Sequence, residues 1–353
     1  MMDINGILKK AVELGASDIF IVAGLPLTFK INGSIVHEEA VMMTPADTEA
    51  LIQSIYDLAS HRSIDRLLNT GDDDFSFAVP HVSRFRVNTY RQRGSLASVI
   101  RVITFDIPDH QSLHIPDIVI RMADFKSGLV LVTGPAGSGK STTLACMIDH
   151  VNHTKEDHII TLEDPLEYLH RHAMSIVSQR EIYTDTESYV TALKASLRQS
   201  PDVILLGEMR DHETMETAMT AAETGHLIIS TLHTLGAANT IDRIIDVFPP
   251  EQQRQIAVQL ALVLRAVVCQ QLVPSVGGAL IPAFEIMTVN PAISTMIRDN
   301  KIHQIDGVIA TSASSDMVSM DQNLTDLYAH GQITRETALN YAYNPDVLSR
   351  KLR

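Results

Sequence analysis

Gly134-Pro135-Ala136-Gly137-Ser138-Gly139-Lys140-Ser141-Thr142 follows directly on the apolar run Gly-Leu-Val-Leu-Val-Thr of residues 128–133. The nine residues have the form G-x-x-x-x-G-K-S, and the run before them reads as a buried parallel strand. A strand feeding a glycine-rich turn and then a helix, predicted over 141–151, aims backbone N–H groups and a helix N-terminus at one small volume. That volume suits a polyphosphate. Gly137 and Gly139 let the backbone curl close to phosphate oxygens, Lys140 has the reach for the β and γ groups, and the Ser141 hydroxyl suits a Mg²⁺ position. The alternative is a glycine-rich turn that matches by accident; motif and context agree against it.

Working outward from the loop, buried strands and helices alternate. Strands are predicted over 129–133, 158–162, 203–206 and 227–232, with helices over 141–151, 186–199 and 212–223 between them. This is the pattern of an open α/β sheet covered on both faces. Ligands of such sheets collect at the carboxyl ends of the strands, and four polar exceptions fall at strand ends. Glu163-Asp164-Pro165 and then Glu167 follow the second strand; Gly207, Glu208 and Arg210 follow the third. A nucleotide hydrolase needs one acidic group to orient or deprotonate water and another to hold Mg²⁺. Glu163 and Glu208 leave neighbouring strands at the height of the glycine-rich loop and fit these two tasks. His226 precedes the fourth strand and His233 follows it, so the two imidazoles cannot share a metal. His233 lies at the ligand end and could sense the γ-phosphate or bond a catalytic carboxylate; His226 suits a subunit contact. A purely structural role remains open for each. Beyond Pro249 the chain is predicted mostly helical, over 252–272, 291–298, 323–330 and 334–341.

The first 105 residues have a different rhythm. A helix is predicted over 4–14 with Gly15 as its cap, and strands over 18–22, 27–31 and 34–37, the last two joined by Asn32-Gly33. Thr44, Pro45 and Asp47 open a second helix running to about residue 56, and a short one is expected over 63–68. Asp72-Asp73-Asp74 reads as a turn before strands over 75–79, 84–91 and 96–105. Arg84, Arg86, Arg91, Arg93 and Arg101 gather here in a chain of 28 Lys plus Arg against 42 Asp plus Glu. They form either a solvated sheet face or a cationic surface for phosphates, including those bound by a neighbouring subunit. Residues 106–118, with Pro108 and Pro116, read as a linker.

Bulk composition bounds the rest. At 353 residues the chain has room for two domains, and 45% hydrophobic with 20% charged residues makes it globular. A formal charge of −14 argues against a general nucleic-acid binder. Cys146 and Cys269 form no C-x-x-C and are expected as buried thiols in helices, so no structural zinc is implied. No signal pattern opens the chain and no apolar run nears the ~20 residues of a spanning helix. A cytoplasmic protein is expected, reaching a membrane only through partners. No internal repeat or low-complexity segment is visible.

Four segments in order resemble one family. The glycine-rich loop 134–142, Thr161-Leu-Glu-Asp-Pro-Leu-Glu-Tyr168, Leu197-Arg-Gln-Ser-Pro-Asp-Val-Ile-Leu-Leu-Gly-Glu-Met-Arg-Asp211, and Ala222-Glu-Thr-Gly-His226 through Thr231-Leu-His-Thr234 are similar to the P-loop, Asp box, atypical Walker B and His box of secretion-superfamily ATPases. Within these GspE/PilT-like proteins the chain resembles the PilT-type ATPases that power type IV pilus retraction, over almost its whole length. The resemblance implies a RecA-like P-loop NTPase core (119–353, helical from about 250), a smaller α+β, PAS-like N-terminal domain (1–105), and a homo-hexamer with ATP held between domains of neighbouring subunits. It implies Glu163 as the catalytic glutamate, Glu208 as the Mg²⁺-linked acid, His233 in phosphate sensing, and Arg86, Arg93 and Arg101 at the nucleotide interface. An inner-membrane pilus platform protein and a second pilus ATPase are the partners implied. Ala292-Ile-Ser-Thr-Met-Ile-Arg298 keeps the spacing of an Ala-Ile-Arg-Asn-Leu-Ile-Arg-like element of retraction ATPases but not its centre. An accessory or assembly ATPase is therefore the alternative, with a nucleotide-regulated structural protein or a DNA-translocating ring more remote.

Overall fold

Ile4, Ile7, Leu8 and Ala11 recur at helical spacing, and α1 (Ile4–Glu13) buries all four while Asp3 caps its first turn. Next come β1 (Ala16–Ile21), β2 (Thr28–Ile31), β3 (Ser34–His37), α2 (Pro45–Leu58), α3 (Asp65–Thr70), β4 (Asp72–Val79), β5 (Ser83–Gln92) and β6 (Ser95–Ile103). In this computed structural model the described residues are 3–352 except 32, 39, 40, 61, 104 and 313–315. Asn32 of the expected hairpin turn therefore lies outside the described residues; Gly33 beside it has φ +79°. The chain divides into two units, Met1–Asp106 with Glu167–Leu169, and Ile107–Leu166 with His170–Arg353.

In the first unit the sheet order is β3-β2-β1-β6-β5-β4 among the described residues, with every neighbour antiparallel. Thr44 and Asp47 form the reciprocal capping box their spacing predicts, at the start of α2. One reading fails here. Asp72-Asp73-Asp74 is the start of β4 and not a turn. The strand can hold Asp73 buried at 1% exposure because Arg62 Nε and Nη2 each donate to its carboxylate at 3.0 Å and the Tyr56 hydroxyl donates at 3.0 Å. A buried carboxylate with this many donors need not break a strand.

The second unit runs through α4 (Asp117–Arg121), β7 (Gly128–Thr133), α5 (Lys140–Thr154), β8 (His158–Glu163), β9 (Ile176–Glu181), α6 (Tyr189–Ser196), β10 (Val203–Leu206), α7 (His212–Glu223), β11 (Leu227–Leu232), α8 (Ala237–Asp246), α9 (Pro250–Val263), β12 (Leu264–Pro274) and β13 (Leu280–Thr288). It closes with α10 (Pro291–Arg298), α11 (Ile305–Thr311), α12 (Met320–Ala329), α13 (Arg335–Tyr341) and α14 (Pro345–Lys351). Its sheet has the order β13-β12-β7-β11-β10-β8-β9 among the described residues. Only the β12–β13 pair is antiparallel. Every residue of β7 and β11 is buried. Alternate residues of β7 serve opposite faces: Leu129 and Leu131 join the core under α6, α7, α8 and α9, while Val130 and Val132 join the core under α4 and α5. Ile115 lies in the second of these cores, with Ile107, Leu113 and Ile118 packed against it.

The predicted helix over 252–272 is corrected at its midpoint. α9 stops at Val263, and Leu264–Pro274 becomes β12, hydrogen-bonded to β7 on one side and β13 on the other. Cys269 accordingly sits in a strand, fully buried, and not in a helix. A continuously apolar run carries no period that separates a buried helix from a buried strand. What decides is the open edge of β7, whose backbone N–H and C=O groups need partners. Beyond β13 the chain is helical, as expected. No helix among the described residues is long and apolar enough to cross a membrane.

Candidate active site

Three neighbouring parallel strands, β11, β10 and β8, and the loop after β7 present their carboxyl ends on one edge of the second unit's sheet. The register runs Leu162 beside Leu206 and Leu206 beside Ser230, so Glu163 and Glu208 emerge close to the same height. Thr133, the last residue of β7, pairs with Leu232, which places the start of the loop beside His233. The order of the strands thus brings Lys140, His233, Glu208 and Glu163 to one end.

The loop has the conformation its glycines predict. Gly134, Gly137 and Gly139 take φ +141°, +75° and +85°, values that L side chains rarely adopt. Gly134 is further constrained, since an added Cβ would lie 2.1 Å from the Gln270 carbonyl oxygen. Pro135, Ala136 and Gly137 are exposed, Ser138 and Lys140 are buried, and Gly139, Ser141 and Thr142 are intermediate. Ser138 Oγ is a buried hydroxyl without a hydrogen-bond partner among the described residues. The Lys140 ammonium donates to the carbonyls of Gly134 at 2.9 Å and Pro135 at 2.8 Å, and lies 3.4 Å from His233 Nδ1.

On its other side the His233 ring lies 3.7 Å, by Nε2, from Glu208 Oε2, and Arg210 Nη2 pairs with Glu208 Oε1 at 2.6 Å. Lys140, His233, Glu208 and Arg210 therefore form one continuous polar chain. Glu208 is largely covered, its side chain 12% exposed, whereas Arg210 is 74% exposed. Glu163 Oε1 accepts from the Thr161 hydroxyl at 2.6 Å, which aims the carboxylate along the strand end. His226 lies at the opposite end of β11, with Nδ1 2.9 Å from the Ala221 carbonyl.

Two contributors escaped sequence reading. Gln270 lies in the stretch misread as helix; its Oε1 accepts from the Thr143 hydroxyl at 2.7 Å, and its Nε2 would lie 2.9 Å from a Cβ at Gly139. The signal was a pair of glutamines inside an apolar run, buried at 3% and 8% exposure. Tyr189, first residue of α6, presses its hydroxyl against Gly207, where an added Cβ would come within 2.9 Å of it. Burial pushes this phenol well above its ordinary range, and Glu208, Asp164 and Glu163 push it the same way.

The arginines belong to the first unit. Arg86 on β5 lies directly opposite Arg101 on β6, and Arg101 directly opposite Asp18 on β1. Arg86 pairs with Asp74 at 2.7 Å and Arg101 with Asp18 at 3.2 Å. These carboxylates offset the repulsion of two like charges placed side by side. Arg93 is exposed, in the turn between β5 and β6, at φ +47°.

The glycine-rich cradle, its lysine and the flanking carboxylates lie together at one edge of an α/β sheet of the kind that P-loop nucleoside triphosphatases share. A family model described as type II/IV secretion system protein matches residues 1–331, and the chain belongs to that family, among its PilT/PilU-type pilus ATPases. It is 42% identical over 345 residues to the Pseudomonas aeruginosa protein described as type IV pilus retractation ATPase PilT, covering 98% of this chain and 99% of that one. To the type IV pilus ATPase PilU of the same organism it is 39% identical over 342 residues, 97% of this chain and 89% of the relative. Among solved structures, that of the pilus retraction motor PilT with bound ADP superposes with a TM-score of 0.89 at 46% identity, over 99% of this chain and all of the other.

Proposed function

We propose that the protein is a hexameric motor that hydrolyses ATP to drive type IV pilus retraction, acting at the inner face of the cytoplasmic membrane through an inner-membrane platform protein. A second pilus ATPase would work beside it. The observation that carries the catalytic part is the convergence of Lys140, His233, Glu208 and Glu163 on one sheet edge. The motor part rests on family membership over nearly the full chain.

In this reading the backbone N–H groups of 134–142 and the N-terminus of α5 bind the triphosphate, and Lys140 exchanges the Gly134 and Pro135 carbonyls for phosphate oxygens. Ser141 Oγ and the Glu208 carboxylate are hard oxygen donors and fit a Mg²⁺ ion, which when bound offsets the charge on the β- and γ-phosphates. Glu163, aimed by Thr161, orients the attacking water and takes its proton. His233, between Lys140 and Glu208, responds to the γ-phosphate through either neighbour. Arg86, Arg93 and Arg101 of an adjacent subunit supply positive charge to the transition state once Asp74 and Asp18 release the two that they hold.

Glu163→Gln should bind ATP as the unaltered protein does and lose turnover by ~10² or more. Steady-state ATPase measurement with magnesium, alongside nucleotide binding, checks this, and near-normal turnover would remove Glu163 from its role. For the cellular reading, cells lacking the gene should extend pili and fail to retract them. Normal retraction in such cells would favour an accessory role, the reading that Ala292-Ile293-Ser294-Thr295-Met296-Ile297-Arg298 keeps in view.

A further inference from the structure

Glu285, on β13, is a carboxylate at 4% exposure, and among the described residues no cation pairs with it. Its partners are two backbone amides and the Cys269 thiol. Oε1 accepts from the N–H of Ala237, first residue of α8, at 2.8 Å, and Oε2 faces the N–H of Met320, first residue of α12, at 3.5 Å. Both helices are ten residues long and both direct the positive ends of their dipoles at this one group. Gly236, the residue before α8, offers no side-chain cap, so Glu285 does from a distant strand what a capping residue does locally.

The burial is costly. An ionised carboxylate without a cation gives up far more hydration than a neutral residue of the same shape. Cys269 from β12, Asp306 from α11 and Tyr343 beyond α13 are near enough to act on it electrostatically, and none of them brings positive charge. A group that costs stability and could be replaced by an apolar one calls for a role elsewhere. The geometry gives that role. Ala237 is four residues beyond His233, and only Thr234, Leu235 and Gly236 separate them. On the other side, β12 carries Cys269 opposite Glu285, and the Thr133 hydroxyl donates to Cys269 Sγ at 3.2 Å, immediately before the glycine-rich loop.

We propose that Glu285 is a positioning residue of the nucleotide site: by gripping the first peptide of α8 it fixes residues 233–237, holds His233 between Lys140 and Glu208, and ties that segment to α12 in the C-terminal helices. The consequence for turnover rests on reading the site as an ATPase; the placement of the segment does not.

The test uses the full-length protein with Glu285→Ala and Glu285→Gln, read by amide hydrogen exchange and by steady-state MgATP turnover. Glu285→Ala should speed exchange in residues 235–240 while β7, β10 and β11 keep their protection. It should lower kcat by roughly tenfold to a hundredfold, as misplacement of a catalytic group does, with KM moved by less than about threefold. Glu285→Gln keeps one acceptor oxygen and should fall between, which carries the test if the alanine variant does not fold. Unchanged exchange in 235–240, or exchange that rises equally across the whole sheet, overturns the proposal, and so does a wild-type kcat in both variants. If the unaltered protein hydrolyses no ATP, the functional reading fails while the exchange measurement still decides the role of Glu285.

Discussion

At position 207, where conventional P-loop enzymes carry an aspartate at the strand end, a side chain has no room unless a neighbour shifts. A Cβ there would lie 2.9 Å from the Tyr189 hydroxyl and 3.3 Å from both Glu163 Cα and the Leu162 carbonyl oxygen. The Tyr189 phenol, held protonated, stands among Glu163, Asp164 and Glu208 and occupies space that a side chain at 207 would need. Gly207→Ala should therefore push Tyr189 or the Glu163 backbone aside and lower kcat by about tenfold or more, since small displacements at the reacting centre are expensive. Adding Tyr189→Phe removes the hydroxyl and should recover part of the loss, because the backbone contact with Glu163 stays. A double variant no better than Gly207→Ala alone, in the same ATPase assay, would refute the steric account.

Among the elements, β12 does most to shape the loop. Its Gln270 carbonyl closes on Gly134, and its Gln270 side chain spans from Thr143 on α5 to Gly139. Gln270→Ala leaves the buried Thr143 hydroxyl without its acceptor, a loss of about 1–3 kcal/mol. The expected result is a lower melting temperature and a KM for ATP raised several-fold, since the floor of the cradle loosens; calorimetry and steady-state kinetics read the two effects. An unaltered KM would separate β12 from the phosphate cradle. The same strand is the one misread from sequence. A helical Gln252–Leu272 would have left the edge of β7 unpaired and the glycine-rich loop without its neighbour.

For the whole molecule, the buried carboxylate of Glu285 sets a dependence of stability on pH. Desolvation raises its pKa from 4.5 to about 7, against the partial opposition of the Ala237 and Met320 amides. A folded-state pKa raised above that of the unfolded chain means that the folded state holds the extra proton between these values. Its contribution to stability is complete below pH 4.5 and is lost as pH rises to about 7, an effect on the order of 3 kcal/mol. Glu285→Gln should flatten that part of the stability profile in urea unfolding between pH 5 and 8. A profile of identical slope in the two proteins would show that Glu285 ionises as freely in the folded state as in the unfolded one.

Local patterns settled what local forces control. The glycine-rich loop, the capping box of Thr44 and Asp47, and the buried parallel strands that end near Glu163, Glu208 and His233 could all be read along the chain. Each depends on backbone conformation or side-chain period over a few residues. The carboxylates at the strand ends were legible for the same reason, since a sheet of this kind gathers ligand-binding groups at one edge. Tertiary structure alone decided that 264–274 is a strand, that Asp73 lies buried in one, that Gly207 makes way for Tyr189, and that Glu285 caps helices far from it in sequence. In each case the partner that decides the outcome, an open strand edge, a guanidinium, a phenol or a helix N-terminus, comes from a distant part of the chain, and no local pattern records it.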